Sequence, residues 1–187
     1  MKKILGVISL FIATFGGAGM VLWLFGLRGK GGGLMGSLAI SIILTLLYPC
    51  SLSPDTILLM IIISFLLGII AIYFSERFML EKWGPRKRHN GEIVDHDFNE
   101  TCIDEVNGML LAVLPIYLVP LSFQTFLILH VIALITFRII DTKKPGPVKL
   151  VEDAEETLTR PVAIMLDDTV GGLMAGMVVT FFTAILV

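Results

Sequence analysis

Charge is scarce in this chain. Aspartate, glutamate, lysine and arginine make up 16% of its 187 residues, and they nearly cancel to a net charge of −2. Nothing in that balance points to a nucleic-acid partner. Cysteine is scarcer still. The two, Cys50 and Cys102, lie at opposite ends of apolar segments and in no metal-ligand spacing. That argues against a disulfide between them and against a thiolate metal site. An internal repeat is lacking, and so is a small-x-small cleavage site before Arg28. The opening apolar stretch is also longer than an ordinary signal-peptide core, so it reads as retained.

Hydrocarbon is what the chain has in quantity. Hydrophobic residues make up 56% of it and the mean hydropathy is +0.90, which puts a chain of one domain's length into lipid. The apolar runs are 4–27, 34–48, 56–74, 106–119, 121–140 and 170–187. The expectation is an all-α integral membrane protein, residues 1–187 forming one compact bundle of about five to six apolar helices. A straight spanning helix takes about 20 residues, so 34–48 and 106–119 are short. Gly16, Gly17 and Gly19 interrupt the first run, where each weakens a helix by roughly 1 kcal/mol relative to alanine. That run is either a broken, re-entrant hairpin shielded by protein or a spanning helix with small residues for close packing.

The loops fall at 28–33, 49–55, 75–103, around Pro120, and at 141–165. If each run from Leu34 onward crosses once, the first, third and fifth loops share a side. That side, with the boundary residues, collects every basic residue except Lys2 and Lys3, and every acid except Asp55. Lysine and arginine mark the cytoplasmic face. A spanning first run would strand Lys2 and Lys3 outside, a conflict that the re-entrant reading removes.

Five carboxylates arrive on that charged face from distant parts of the sequence: Asp104 and Glu105, Asp141, and Asp167 and Asp168. Boundary acids often cap helices, which suits Asp104 and Asp167. It suits Asp141 poorly, because a carboxylate is disfavoured at a helix C-terminus. A shared divalent-cation site explains all five. Adjacent residues on a helix diverge by about 100°, so one member of each acidic pair is expected to be a ligand.

Phe137-Arg138-Ile139-Ile140-Asp141-Thr142-Lys143-Lys144-Pro145-Gly146-Pro147 is the most specific stretch. Arg138 and Asp141 fall on one helical face, and the prolines should stop the helix and hold an extended path. Lys143 and Lys144 beside a carboxylate suit a phosphate next to a metal. Asp167 and Asp168 are expected to open the last helix, where Gly172 and Gly176 form a small-xxx-small face.

Asp104-Glu105-Val106-x-Gly108, Phe137-Arg138-x-x-Asp141-x-x-Lys144-Pro145-x-Pro147 and Ile164-Met165-x-Asp167-Asp168-x-x-x-Gly172 together resemble phosphatidylglycerophosphatase A, over roughly residues 14–176. Gly36-Ser37, preceded by Gly33 and Met35, is similar to that family's Pro-Gly-Thr-x-Gly-Ser motif. The resemblance implies a magnesium-dependent phosphatase of the bacterial inner membrane, facing the cytoplasm. Its substrate would be a phospholipid, phosphatidylglycerophosphate, cleaved to phosphatidylglycerol and phosphate. It implies catalytic roles for Asp104, Glu105, Asp141, Lys144, Asp167 and Asp168, the five acids holding Mg²⁺. Gly36, Ser37, Arg138 and Lys143 would contact substrate. The chain departs from the family at Gly32 and Leu34, which stand for proline and threonine, and at Arg160-Pro161-Val162-Ala163, which replaces a glycine-rich approach. These departures bear on head-group contacts and leave room for a divergent or inactive paralogue.

Two rivals belong to other classes. A small transporter would carry its acids near the midplane and usually shows repeats. A lipid head-group transferase would also use surface carboxylates, but its Asp-Gly-x-x-Ala-Arg signature is absent. Among smaller signals, Arg86-Lys87-Arg88-His89 reads as an anchor near anionic lipid, Trp83 as an interfacial anchor and His96, between Asp95 and Asp97, as a solvated loop histidine. His130 reads as a packed polar residue, and 148–159 as a short interfacial helix or a plain linker.

Overall fold

The computed structural model describes residues 2–25, 31–87, 93–94, 98, 100–153 and 158–187. His96 with its flanking aspartates, Arg88, His89, Arg28 and the acids Glu155 and Glu156 lie outside the described residues. Seven α-helices are described: α1 (Lys2–Ala13), α2 (Gly32–Leu46), α3 (Pro54–Trp83), α4 (Ile103–Val113), α5 (Phe123–Lys143), α6 (Gly146–Asp153) and α7 (Arg160–Leu186). Short 3-10 segments follow α1, α2 and α4, and a two-residue antiparallel ladder joins β1 (Arg86–Lys87) to β2 (Ile93–Val94). Among the described residues the secondary structure is otherwise helical, as expected.

Helices α3, α5 and α7 are long and apolar enough to cross a membrane. The sequence starts two of them in the same way. Ser53 and Ser122 accept hydrogen bonds at 3.2 Å from the backbone N–H groups of Thr56 and Thr125, each satisfying a donor that the helix leaves orphaned. Large side chains such as Ile63, Leu66 and Ile70 remain exposed on α3, a surface that belongs in lipid.

The first apolar run is broken. Helix α1 runs antiparallel along α3, with Gly6 against Phe78 near the C-terminal end and Phe15 reaching the neighbourhood of Ser64 and Leu67. The chain then reverses through Phe15, Gly16 and Gly17, all at positive φ (47°, 68° and 94°), a path that glycine takes at little cost. The 3-10 segment Ala18–Phe25 climbs back to lie beside α2, and Gly19 meets the Glu100 carbonyl. The backbone of the turn is satisfied internally: Gly16 N–H donates to Phe11, Gly19 N–H to Thr14, and Cys102 N–H to Ala13. Such closure is what irregular backbone needs at membrane depth. The hairpin enters and leaves at one end of the bundle.

Three boundaries differ from the sequence expectation. Helix α3 continues past residue 74 to Trp83, because buried Met79 keeps an apolar face turned to the core. Helix α7 starts at Arg160 rather than at the acidic pair, with Pro161 in its first turn. Beyond Pro145 the path is not extended: Lys144 closes α5 in a left-handed conformation (φ 42°, ψ 62°) and α6 begins at Gly146. Thus 148–153 is helical, packed on α7 with Val148 buried and Leu150 exposed.

Helices α4 and α7 make the closest crossing. A side chain at Gly172 would overlap the Gly108 backbone, and one at Gly108 would strike Phe137 and the Asp168 carbonyl. Only hydrogen fits at both places, as the small-residue spacing of α7 predicts. The crossing lies one turn beyond Asp104 and carries α4 and α7 into contact where their acids lie.

Candidate active site

The charged end of the bundle gathers the C-termini of α3 and α5 and the N-terminal parts of α2, α4 and α7. Asp104, Glu105 and Asp168 each bring a carboxylate oxygen into a group whose atoms all lie within 4.8 Å of one another. Asp104 and Asp168 are buried, and Glu105 is half-buried. Both members of the first acidic pair converge, while the second pair divides, Asp168 joining the group and Asp167 facing Lys144. Glu105 reaches across to α2, where any side chain at Gly33 would collide with its carboxylate. It lies against the first turn of that helix, whose unpaired N–H groups favour negative charge.

Capping does not account for these acids. No side chain caps the start of α4, and Asp167 and Asp168 sit about two turns inside α7. The remaining acids are bound to cations. Lys144 Nζ donates to Asp167 Oδ2 at 2.7 Å, and Arg138 pairs with Asp141 at 3.0 Å. Asp141 also neighbours Asp168, and Asp104 neighbours Glu105. Carboxylates crowded in this way repel unless a proton or a cation lies among them.

Burial, and then the charge of Asp104, push the Glu105 carboxyl well above the usual carboxylate range. Its Oε2 is buried and accepts no hydrogen bond. A hard divalent cation would satisfy that oxygen and the crowded charge together, so the donor set fits such an ion. Cys102, at the head of α4, is no competitor for it: burial and Asp104 raise its thiol to about 12.

The other predicted residues are placed as follows. Lys143 is exposed, while Lys144 is half-buried over Asp167. Gly36 packs on Cys102 in the contact between α2 and α4, and the buried Ser37 turns its hydroxyl back onto its own helix, donating to the Gly33 carbonyl at 3.1 Å. His130 is buried at mid-helix, its ring 4.1 Å from that of Phe126, as expected of a packed polar residue.

Sequence reasoning missed Asn107, which lies one turn beyond Asp104 with no exposed surface. An amide inside an apolar run was the available signal.

A family model, that of phosphatidylglycerophosphatase A, matches residues 11–183. The chain belongs to this family. It is accordingly a phosphoric monoester hydrolase, a phosphatidylglycerophosphatase, and three helices among the described residues are fit to cross a membrane. No curated protein and no solved structure matches it significantly.

Proposed function

We propose that this phosphatidylglycerophosphatase hydrolyses its lipid on the cytoplasmic face of a bacterial inner membrane, using Mg²⁺ held by Asp104, Glu105 and Asp168. The observation that carries the reading is the convergence of these three carboxylates, from α4 and α7, beside the cation pairs of α5. When bound, the ion would polarise phosphoryl oxygens and lower the pKa of an attacking water.

The chain's own residues supply the rest. Lys144 and Arg138 would turn from Asp167 and Asp141 toward the phosphate and offset charge on its oxygens. The carboxylate that either cation leaves is then placed to take a proton from water. Lys143, exposed at the end of α5, would meet the head group from outside. Gly36 and Ser37, on the first turns of α2 beside Gly33, would contact the substrate head group, while Gly33 lets α2 approach Glu105 without an intervening side chain.

A transporter fits less well, because the acids gather at one end of the bundle and not at its middle. The test is phosphate release from synthetic phosphatidylglycerophosphate by the purified protein, with and without Mg²⁺. Release that needs Mg²⁺ is expected. Release unaffected by thorough chelation would remove the metal from the mechanism.

A further inference from the structure

Below the carboxylates lies a neutral group that hydrolysis as described above does not employ. Asn107 has no exposed surface. Burying an amide without hydrogen bonds costs roughly 2–7 kcal/mol, so its partners decide what it does there. Asn107 Nδ2 donates to the Ile61 carbonyl and to Ser64 Oγ on α3, both at 2.8 Å. Its Oδ1 accepts from Thr169 Oγ1 on α7 at 3.0 Å. Both amide hydrogens and the oxygen are thus engaged. The Thr169 hydroxyl also reaches the Met165 carbonyl at 2.6 Å, so one proton serves two acceptors.

The placement of these bonds gives them a use. Asn107 follows Asp104 and Glu105 on α4 within one turn, and Thr169 follows Asp168 directly on α7. The crossing of Gly108 on Gly172 brings α4 and α7 together, but glycine contacts are non-directional and permit sliding and rotation. Hydrogen bonds are directional, and those of Asn107 tie both helices to α3 as a common reference.

We propose that Asn107 is a positioning residue: its side chain fixes the separation of Asp104 and Glu105 from Asp168, and so tunes the site for a divalent cation. This rests on the metal reading of the carboxylates. Groups that orient ligands from behind in this way typically change metal affinity by about 10–100-fold when removed.

The test is Mn²⁺ binding, followed by electron paramagnetic resonance on the full chain in lipid, without substrate, with thermal unfolding measured alongside. Asn107→Leu keeps the volume and removes all three bonds, and should weaken Mn²⁺ binding about 10–100-fold. Thr169→Val should weaken it in the same direction, while Thr169→Ser, which keeps the hydroxyl, binds as the wild type does. The double variant Asn107→Leu/Thr169→Val should be no worse than Asn107→Leu alone, because one link has been cut twice. Mn²⁺ affinity unchanged in folded Asn107→Leu would overturn the proposal. If that variant does not fold, equal affinities of Thr169→Val and Thr169→Ser overturn it instead. A wild-type protein that binds no Mn²⁺ would remove the metal reading itself, a result distinct from unchanged affinity in the variants.

Discussion

Lys144 occupies backbone space that glycine would fill with less strain. Its left-handed conformation (φ 42°) closes α5 where helices commonly end on glycine, and Pro145 follows directly. A side chain kept at a strained position is a reason to look for what that side chain does. Here it holds Asp167 at 2.7 Å over the carboxylate cluster. Lys144→Ala and Lys144→Gly should both lose most phosphate release, measured with Mg²⁺ at saturation. The glycine variant should unfold at the higher temperature of the two, by about 1 kcal/mol of stability, because it relieves the backbone. Lys143→Ala should lose much less, since that side chain is exposed and meets the head group only from outside; equal losses at both lysines would mean that the pair is only an anchor. At the triad, Asp104→Asn, Glu105→Gln and Asp168→Asn should each weaken Mn²⁺ binding about 100-fold or more, since an amide keeps the size and loses the charge that holds a hard cation. A triad variant that binds Mn²⁺ normally would take its residue out of the metal site.

Among the elements, the α4–α7 crossing gives the site its shape, and half of it was legible from spacing alone. Gly172 and Gly176, four apart on one apolar helix, announce a face for close approach. Gly108 is recognisable only beside its partner, because a single glycine in an apolar run has no periodicity to read. The start of α7 was misplaced for a related reason. An acidic pair looks like a helix N-terminus, whereas Ala163, Ile164, Met165 and Leu166 carry the helix back to Arg160 and leave the acids inside it. Asn107 escaped notice because it carries no charge, and its worth lies in bonds to α3 and α7 that no local pattern encodes. Gly108→Ala and Gly172→Ala should each press a methyl group into backbone. The expected cost is roughly 1–3 kcal/mol in thermal unfolding, with phosphate release falling further than stability does as the carboxylates separate. Wild-type release from a destabilised Gly172→Ala protein would show that the crossing is structural and does not set the site.

For the whole molecule, the hairpin decides how charge is distributed across the membrane. With α1 antiparallel to α3 and Gly6 against Phe78, Lys3 joins the end that carries Lys82, Arg138, Lys144 and Arg160. Among the described residues, Asp55 is then the charged side chain left at the far end near Cys50, and the lysines and arginines lie on a single face. The two native cysteines already distinguish the ends. Cys50 is exposed in the turn after α2, whereas Cys102 is buried with its thiol raised to about 12 and should not react. In intact cells an impermeant thiol reagent should therefore label the wild-type chain at Cys50. In a Cys50→Ser background, Lys3→Cys and Lys144→Cys should both resist the reagent until the membrane is permeabilised. A first segment that spanned instead would put Lys3→Cys with Cys50, labelled from outside, while Lys144→Cys stayed protected. Labelling of Lys144→Cys in intact cells would reverse the whole bundle and turn the carboxylates away from cytoplasmic Mg²⁺.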